Sequence, residues 1–220
     1  MVGGVVAFYN LFPFMVEIFV KINNSVPKHI CDGSLITFQW ILTAAHCTRK
    51  GTNVIYYVGA GRSDNLHQRF PSGSMKFLHG QTRRSRLFYR HYKYDNEHQE
   101  HDIALMKVQE PFHPSSSLVP VKLPTHTEAS DLTKLYKTCY IGGWGLTGAN
   151  FMQIFDHSRN VWKYNQDVQK TSKLVHVVLP LISNNQCRRI WHGESGVAFE
   201  VLDTQICTLY YPGRKSVCRV

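Results

Sequence analysis

Short runs of apolar residues, many alternating with polar ones, recur along this chain between turn signals. Val, Ile, Tyr and Phe concentrate at 14–22, 29–36, 40–44, 54–59, 75–79, 86–92, 103–108, 137–142, 173–181 and 205–210, lengths that suit strands better than helices. Closely spaced strands divided by turns predict an all-β protein of antiparallel sheets or barrels. One short helix is predicted after Ser183, which stands as N-cap to the run "NNQCRRIW". Two stretches interrupt the rhythm. Residues 109–136 carry four prolines and a serine run, and read as an extended connector between two halves. Residues 146–172 are long, polar and without period, and read as a surface loop. No repeat of fixed period is visible.

Composition narrows this picture only slightly. With 220 residues, 43% of them hydrophobic and 18% charged, the chain can build one large domain or two small packed units without a cofactor to hold them. The excess of 25 Lys+Arg over 15 Asp+Glu favours polyanionic partners or simply a solvated basic surface, and the solvated surface is the expectation. The first twenty residues are apolar, but Asn10, Pro13 and Glu17 interrupt them and no basic segment precedes them. They read as the start of the folded domain, with any export signal upstream. No apolar run reaches the ~18 residues of a membrane span.

Six cysteines stand at 31, 47, 139, 187, 207 and 218, none in a C-x-x-C pair. A disulfide framework in an oxidising compartment is expected, hence a secreted protein, with no metal and no cofactor. Asn23-Asn24-Ser25 forms one N-x-S sequon, so Asn23 is a glycosylation candidate.

The candidate chemistry begins with "WILTAAHC" at 40–47, an apolar strand that delivers His46 beside Cys47. In "HDIAL" at 101–105, Asp102 enters another apolar strand. A carboxylate of this kind can fix a histidine's tautomer and stabilise its imidazolium, so the two form a candidate base and orienter. The tetrapeptide Gly193-Glu194-Ser195-Gly196 offers a glycine-flanked serine. The basic run "RRSRLFYRHYK" at 83–93 could align Arg84, Arg86 and Arg90 on one strand face. His98 and His101 in "HQEH", with His91 nearby, have no fixed geometry in a loop, so zinc is not expected there. Asp64 is the only carboxylate within 61–76, too few oxygens for calcium.

Six ordered blocks then carry a resemblance: "MVGG" at 1–4, "CDGSLI" at 31–36, "WILTAAHC", "HDIALMKV" at 101–108, "CYIGGWG" at 139–145 and "ICT" at 206–208. Together they resemble the trypsin and chymotrypsin-like serine peptidases. The resemblance implies a single domain over 1–220 built from two antiparallel six-stranded barrels with a catalytic cleft between them. The first barrel would span about 14–110, the connector about 111–136, and a partial second barrel about 137–220. It implies that His46 is the general base and then acid, that Asp102 orients it, and that Cys31 pairs with Cys47 and Cys187 with Cys207. The partners of Cys139 and Cys218 would lie beyond residue 220.

The same resemblance places the nucleophilic serine in C-x-G-D-S-G-G-P, four residues after the cysteine matched by Cys218. That position falls two residues beyond Val220. Ser195 precedes that cysteine and lacks the following Gly-Pro turn, so it is expected in a surface loop. Val220 replaces the oxyanion glycine, and Met1 replaces the isoleucine whose freed ammonium would pair with the absent aspartate. The 220 residues are therefore expected to be inactive unless a longer form supplies the Gly-Asp-Ser-Gly-Gly segment. The alternative is a non-catalytic homologue that acts as a binding module. Ser216 matches the floor of the primary specificity pocket, where a serine accompanies apolar or aromatic preference. Asp32 replaces a glycine near the leaving-group side and is expected to be an exposed strand-end aspartate. The partners implied are a polypeptide substrate or protein inhibitor, with sulfated polysaccharide a candidate for Arg84, Arg86 and Arg90, no nucleic acid, and a monomeric state.

Overall fold

Val16, Ile18 and Val20 alternate on one face of a strand, and Glu17 and Phe19 are buried on the other, so this strand is covered on both sides. It is one strand of a closed barrel in a computed structural model that describes residues 4–48, 51, 53–63, 67–69, 75–77, 80–98, 100–128, 138–147, 153–156, 161–164, 169–170, 172–194 and 201–209.

In chain order the first strands are β1 (Val5–Val6), β2 (Met15–Ile22), β3 (Lys28–Leu35), β4 (Trp40–Thr43) and β5 (Val54–Ala60). Then follow β6 (His67–Arg69), β7 (Met75–Phe77), β8 (Gln81–Arg90), β9 (Ala104–Val108), β10 (Thr138–Gly143) and β11 (Leu146–Thr147). The chain continues through β12 (Gln153–Asp156), β13 (Val161–Tyr164), β14 (Gln169–Lys170), β15 (Val175–Ile182), helix α1 (Asn184–Glu194) and β16 (Cys207–Thr208).

Two compact units form. One comprises Phe8–Ala129, the other Met1–Ala7 with Ser130–Val220. In the first, the barrel order is β2-β3-β4-β9-β8-β5, all antiparallel. Its interior is filled by Ile18, Leu35, Ile41, Tyr56, Val58 and Met106, closed by Phe112 and Leu118 from the segment after β9. Each of these is at most 2% exposed, and burying such side chains contributes roughly 1.5–3 kcal/mol apiece. The outer face of β2 holds a buried ion pair of Glu17 with Arg62.

In the second unit β15 is central. It pairs with β1 at Val5↔His176, with β10 over Thr138↔Pro180 to Gly143↔Val175, and with β16 at Ile182↔Cys207. Its alternation of Val175, Val177, Leu179 and Leu181 supplies the buried face. Ser183 caps α1 through its Oγ, which accepts from Gln186 N–H at 3.2 Å. The all-β class is thus shown: a six-stranded closed barrel and a second sheet, with α1 a helix of three turns.

Two expectations change. The strand expected at 86–92 runs over Gln81–Arg90, because pairing with β5 from Ala60↔Gln81 onward sets its start, and Gln81, Arg83 and Arg84 carry no apolar signal. Residues 146–172, read as a surface loop, contain two antiparallel ladders, β12 with β13 and β11 with β14. Backbone pairing builds such ladders without needing a buried face, which is why the polar pattern hid them. The serine of Gly193-Glu194-Ser195-Gly196 follows α1 directly and lies outside the described residues, as do Asp64, Ser216, Cys218 and Val220.

Candidate active site

Thr43 ends β4 opposite Ala104, which opens β9. The chain leaving one strand and the chain entering the other are therefore neighbours, and this register brings residues 46 and 102 together. After Thr43 the backbone makes a single 3-10 turn, Ala45–Cys47, with Ala44 extended before it. Small residues fit there because Ala45 is fully buried. On the other side His101 adopts a positive φ of 50° and Ile103 N–H donates to His101 O at 2.7 Å, which turns the backbone sharply at Asp102. Histidine is among the residues that tolerate this conformation.

Asp102 bonds the same residue twice. Its Oδ2 lies 2.6 Å from His46 Nδ1, and its Oδ1 accepts the His46 backbone N–H at 2.8 Å. A carboxylate oxygen accepts here, so Nδ1 is the donor of this contact and Nε2 is the ring nitrogen turned to the open side. The backbone bond removes the remaining freedom of the aspartate. The His46 side chain is 43% exposed and that of Asp102 23%, so Nε2 stands at a partly open site while its orienter is more shielded. Nε2 also lies 3.5 Å from Cys47 Sγ and 3.9 Å from Cys31 Sγ. Those two sulfurs form a disulfide.

The turn that carries His46 is held from β8. Thr48, only 1% exposed, donates from Oγ1 to Ala45 O at 2.8 Å. Arg90 donates from Nε to Thr48 Oγ1 at 2.7 Å and from Nη2 to Thr48 O. Its guanidinium also lies over Phe88 and Tyr94. Sequence reasoning did not find this brace, because nothing local links residue 90 to residue 48.

The register of β8 places Arg84 and Arg90, two members of the candidate basic stripe, on opposite faces. Strict alternation would put Arg84 and Arg90 on one face, but a register shift falls between Ser85 and Leu87. Beyond it Leu87 and Tyr89 are exposed at 43% and 55%, so Phe88 and Arg90 turn the other way. Arg84 pairs with Tyr57 on the side opposite buried Ser85. A bulge of this kind adds one residue and flips the side-chain phase. The side chain of Arg86 lies outside the described residues.

Asp32, expected exposed at a strand end, sits inside β3. Its Oδ1 lies 2.9 Å from His29 Nε2, with side chains 24% and 10% exposed respectively, and His29 packs edge-on against Phe19. His98 bonds Asp95 Oδ2 through Nδ1 at 2.8 Å, while His101 stacks on His91 with ring centroids 4.8 Å apart. Asn23 is exposed in the turn between β2 and β3. Cys187 and Cys207 form the second disulfide, tying α1 to β16. Cys139 on β10 is a half-buried free thiol whose pKa burial raises.

Comparison with known proteins agrees with this geometry. The family model described as Trypsin matches residues 1–219. The chain is 27% identical over 203 residues to Trypsin 5G1 of Aedes aegypti, which covers 91% of this chain and 62% of that protein. It is 26% identical over 221 residues to coagulation factor XI of Bos taurus, covering 99% of this chain and 29% of that protein. It is also 26% identical over 218 residues to a trypsin of Simulium vittatum, covering 99% of this chain and 74% of that protein. The chain thus spans less than two thirds of the length of the first two of these relatives. With a family match over nearly its whole length and a histidine–aspartate pair set by the β4–β9 register, the chain belongs to the trypsin family.

Proposed function

We propose that this chain carries the base and orienter of a secreted serine endopeptidase, with His46 taking and returning the proton and Asp102 holding it. The observation that carries this reading is the pair of hydrogen bonds that Asp102 accepts from His46, one from Nδ1 and one from the backbone N–H. A hydroxyl brought to Nε2 would lose its proton to that nitrogen as it attacks a peptide carbonyl. The imidazolium so formed faces the carboxylate, and it then protonates the departing amine.

The nucleophile belongs, by family position, to a Gly-Asp-Ser-Gly-Gly segment after Cys218, and residues 1–220 contain no such segment. On this reading those residues alone have the base without the group it serves, a deficit of about 10⁶-fold in turnover or roughly 8–9 kcal/mol. Ser216, matching the pocket floor, favours apolar side chains before the cut bond.

A fluorophosphonate probe tests this, since it reacts only with an activated serine. Residues 1–220 are expected to stay unlabelled. A product that continues through a Gly-Asp-Ser-Gly-Gly segment is expected to label, and His46→Ala in that product should slow labelling by about 10²–10⁴-fold. Labelling that His46→Ala leaves untouched would remove His46 as base. A continuing product that never labels would favour the non-catalytic homologue, a binding module.

A further inference from the structure

We propose that Asn23 is an N-glycosylation site, taking an oligosaccharide on its carboxamide nitrogen as the chain enters an export pathway. Asn23-Asn24-Ser25 is the one N-x-S/T sequence in the 220 residues, and its middle residue is not proline. The inference rests on the secreted reading, which the two disulfides favour.

The fold supplies what a three-residue motif lacks, an accessible and tolerant position. All three residues lie in the five-residue connection between β2 and β3, and each is exposed. Asn23 takes the left-handed conformation, φ 53°, which asparagine adopts more readily than most residues. Its N–H donates to Asn53 O at 2.9 Å. Ser25 closes the turn, its N–H donating to Ile22 O at 3.0 Å and its Oγ accepting from Ile22 N–H at 3.2 Å. The bonds that shape the turn thus come from backbone groups and the serine hydroxyl, and a sugar on the Asn23 carboxamide leaves them intact. Transfer acts on the emerging chain, so the hairpin must afterwards close with the sugar in place. An exposed turn allows that, and a buried segment would not. On either side Ile22 and Val26 are exposed at 37% and 44%, apolar surface that the first sugar ring can take from water.

The transfer step balances with a lipid-pyrophosphate-linked oligosaccharide as donor. The Asn23 nitrogen bonds to the first sugar carbon, and the bond from that carbon to the phosphate oxygen breaks. The lipid pyrophosphate leaves with that electron pair, and the amide gives up one proton.

The test translates the whole chain behind a supplied export signal in the presence of microsomes, and scores only the fraction protected from added protease. Expected is a single species retarded by one core glycan and restored by endoglycosidase H. Asn23→Gln and Ser25→Ala should each abolish the shift, and Ser25→Thr should keep it. Peptide N-glycosidase in heavy-oxygen water should leave residue 23 as an aspartate carrying the label. A protected chain that shows no shift would overturn the proposal, as would a shift that survives Asn23→Gln. Because the signal is supplied, a protected but unmodified chain removes the site and leaves the secreted reading standing.

Discussion

Thr48 is the residue through which β8 reaches His46. Its hydroxyl donates to Ala45 O and accepts from Arg90, so one buried side chain joins the 3-10 turn to a guanidinium. Replacing Arg90 with Met keeps much of the stem that covers Phe88 but strands the buried carbonyl of Thr48. A loss of about 1–3 kcal/mol is expected in urea unfolding. Arg90→Lys should recover only part of it, because one ammonium cannot serve Oγ1 and O in the same plane. The pair at Asp95 and His98 gives a pH signature. The bond between them raises the pKa of His98, and the same bond, with the Glu97 backbone N–H, lowers that of Asp95. The His98 contribution is present below its unfolded value of about 6.5 and fades as pH rises through the higher folded value. The Asp95 contribution is present above about 3.9 and fades as pH falls. The contact is therefore strongest between about pH 4 and 6.5. An NMR titration should find His98 above the ordinary histidine value, and Asp95→Asn should bring it back.

Among the elements, β3 and β4 pack so closely that Gly33 leaves no room for a side chain. A Cβ on Gly33 would lie 2.7 Å from Ile41 Cγ2 and 3.0 Å from Leu42 O. Neither can yield easily, because Ile41 is fully buried and Leu42 is strand backbone. Gly33→Ala is expected to cost about 1–3 kcal/mol by thermal or urea unfolding. Gly145, with nothing within 4 Å of its built Cβ, should tolerate the same change within about 0.5 kcal/mol. If the two changes cost alike, close strand packing is not what requires Gly33. β8 shows why face assignments drawn from alternation fail. One register shift between Ser85 and Leu87 sent Arg84 and Arg90 to opposite sides. No composition signal marks a bulge, since it arises from the pairing of β8 with β5 on one edge and β9 on the other.

At the scale of the whole molecule, among the described residues, each compact unit holds one disulfide. Cys31–Cys47 lies in the barrel unit and Cys187–Cys207 in the other, spanning 16 and 20 residues. Loops of this length are worth roughly 3 kcal/mol each in the chain-entropy account. Cys187→Ala/Cys207→Ala should therefore lower stability by about that amount. Hydrogen exchange should rise in α1 and at 201–209, while amides of β2 and β5 keep their protection. Equal loss of protection in the barrel would mean that the bridge supports more than its own unit. The excess of basic residues, +10 in net charge, shapes solubility and encounter more than fold.

Much of this was legible from local chemistry. Alternating apolar residues marked most strands to within a few positions, because a half-buried strand must alternate whatever it pairs with. Ser183 marked the start of α1 because a cap needs only the turn beside it. The segments around His46 and Asp102 were readable as well, since each sits at the end of an apolar strand. The sequence alone thus determined the β-rich class, most of the strands outside 146–172, and the residues with candidate chemistry. Only the tertiary structure decided the Arg90–Thr48 brace, the phase of β8, the His29–Asp32 pair and the place of the Cys31–Cys47 bridge beside His46. Each of these depends on which strands pair and in what register. Register is a property of the closed barrel as a whole, and no window of neighbouring residues contains it.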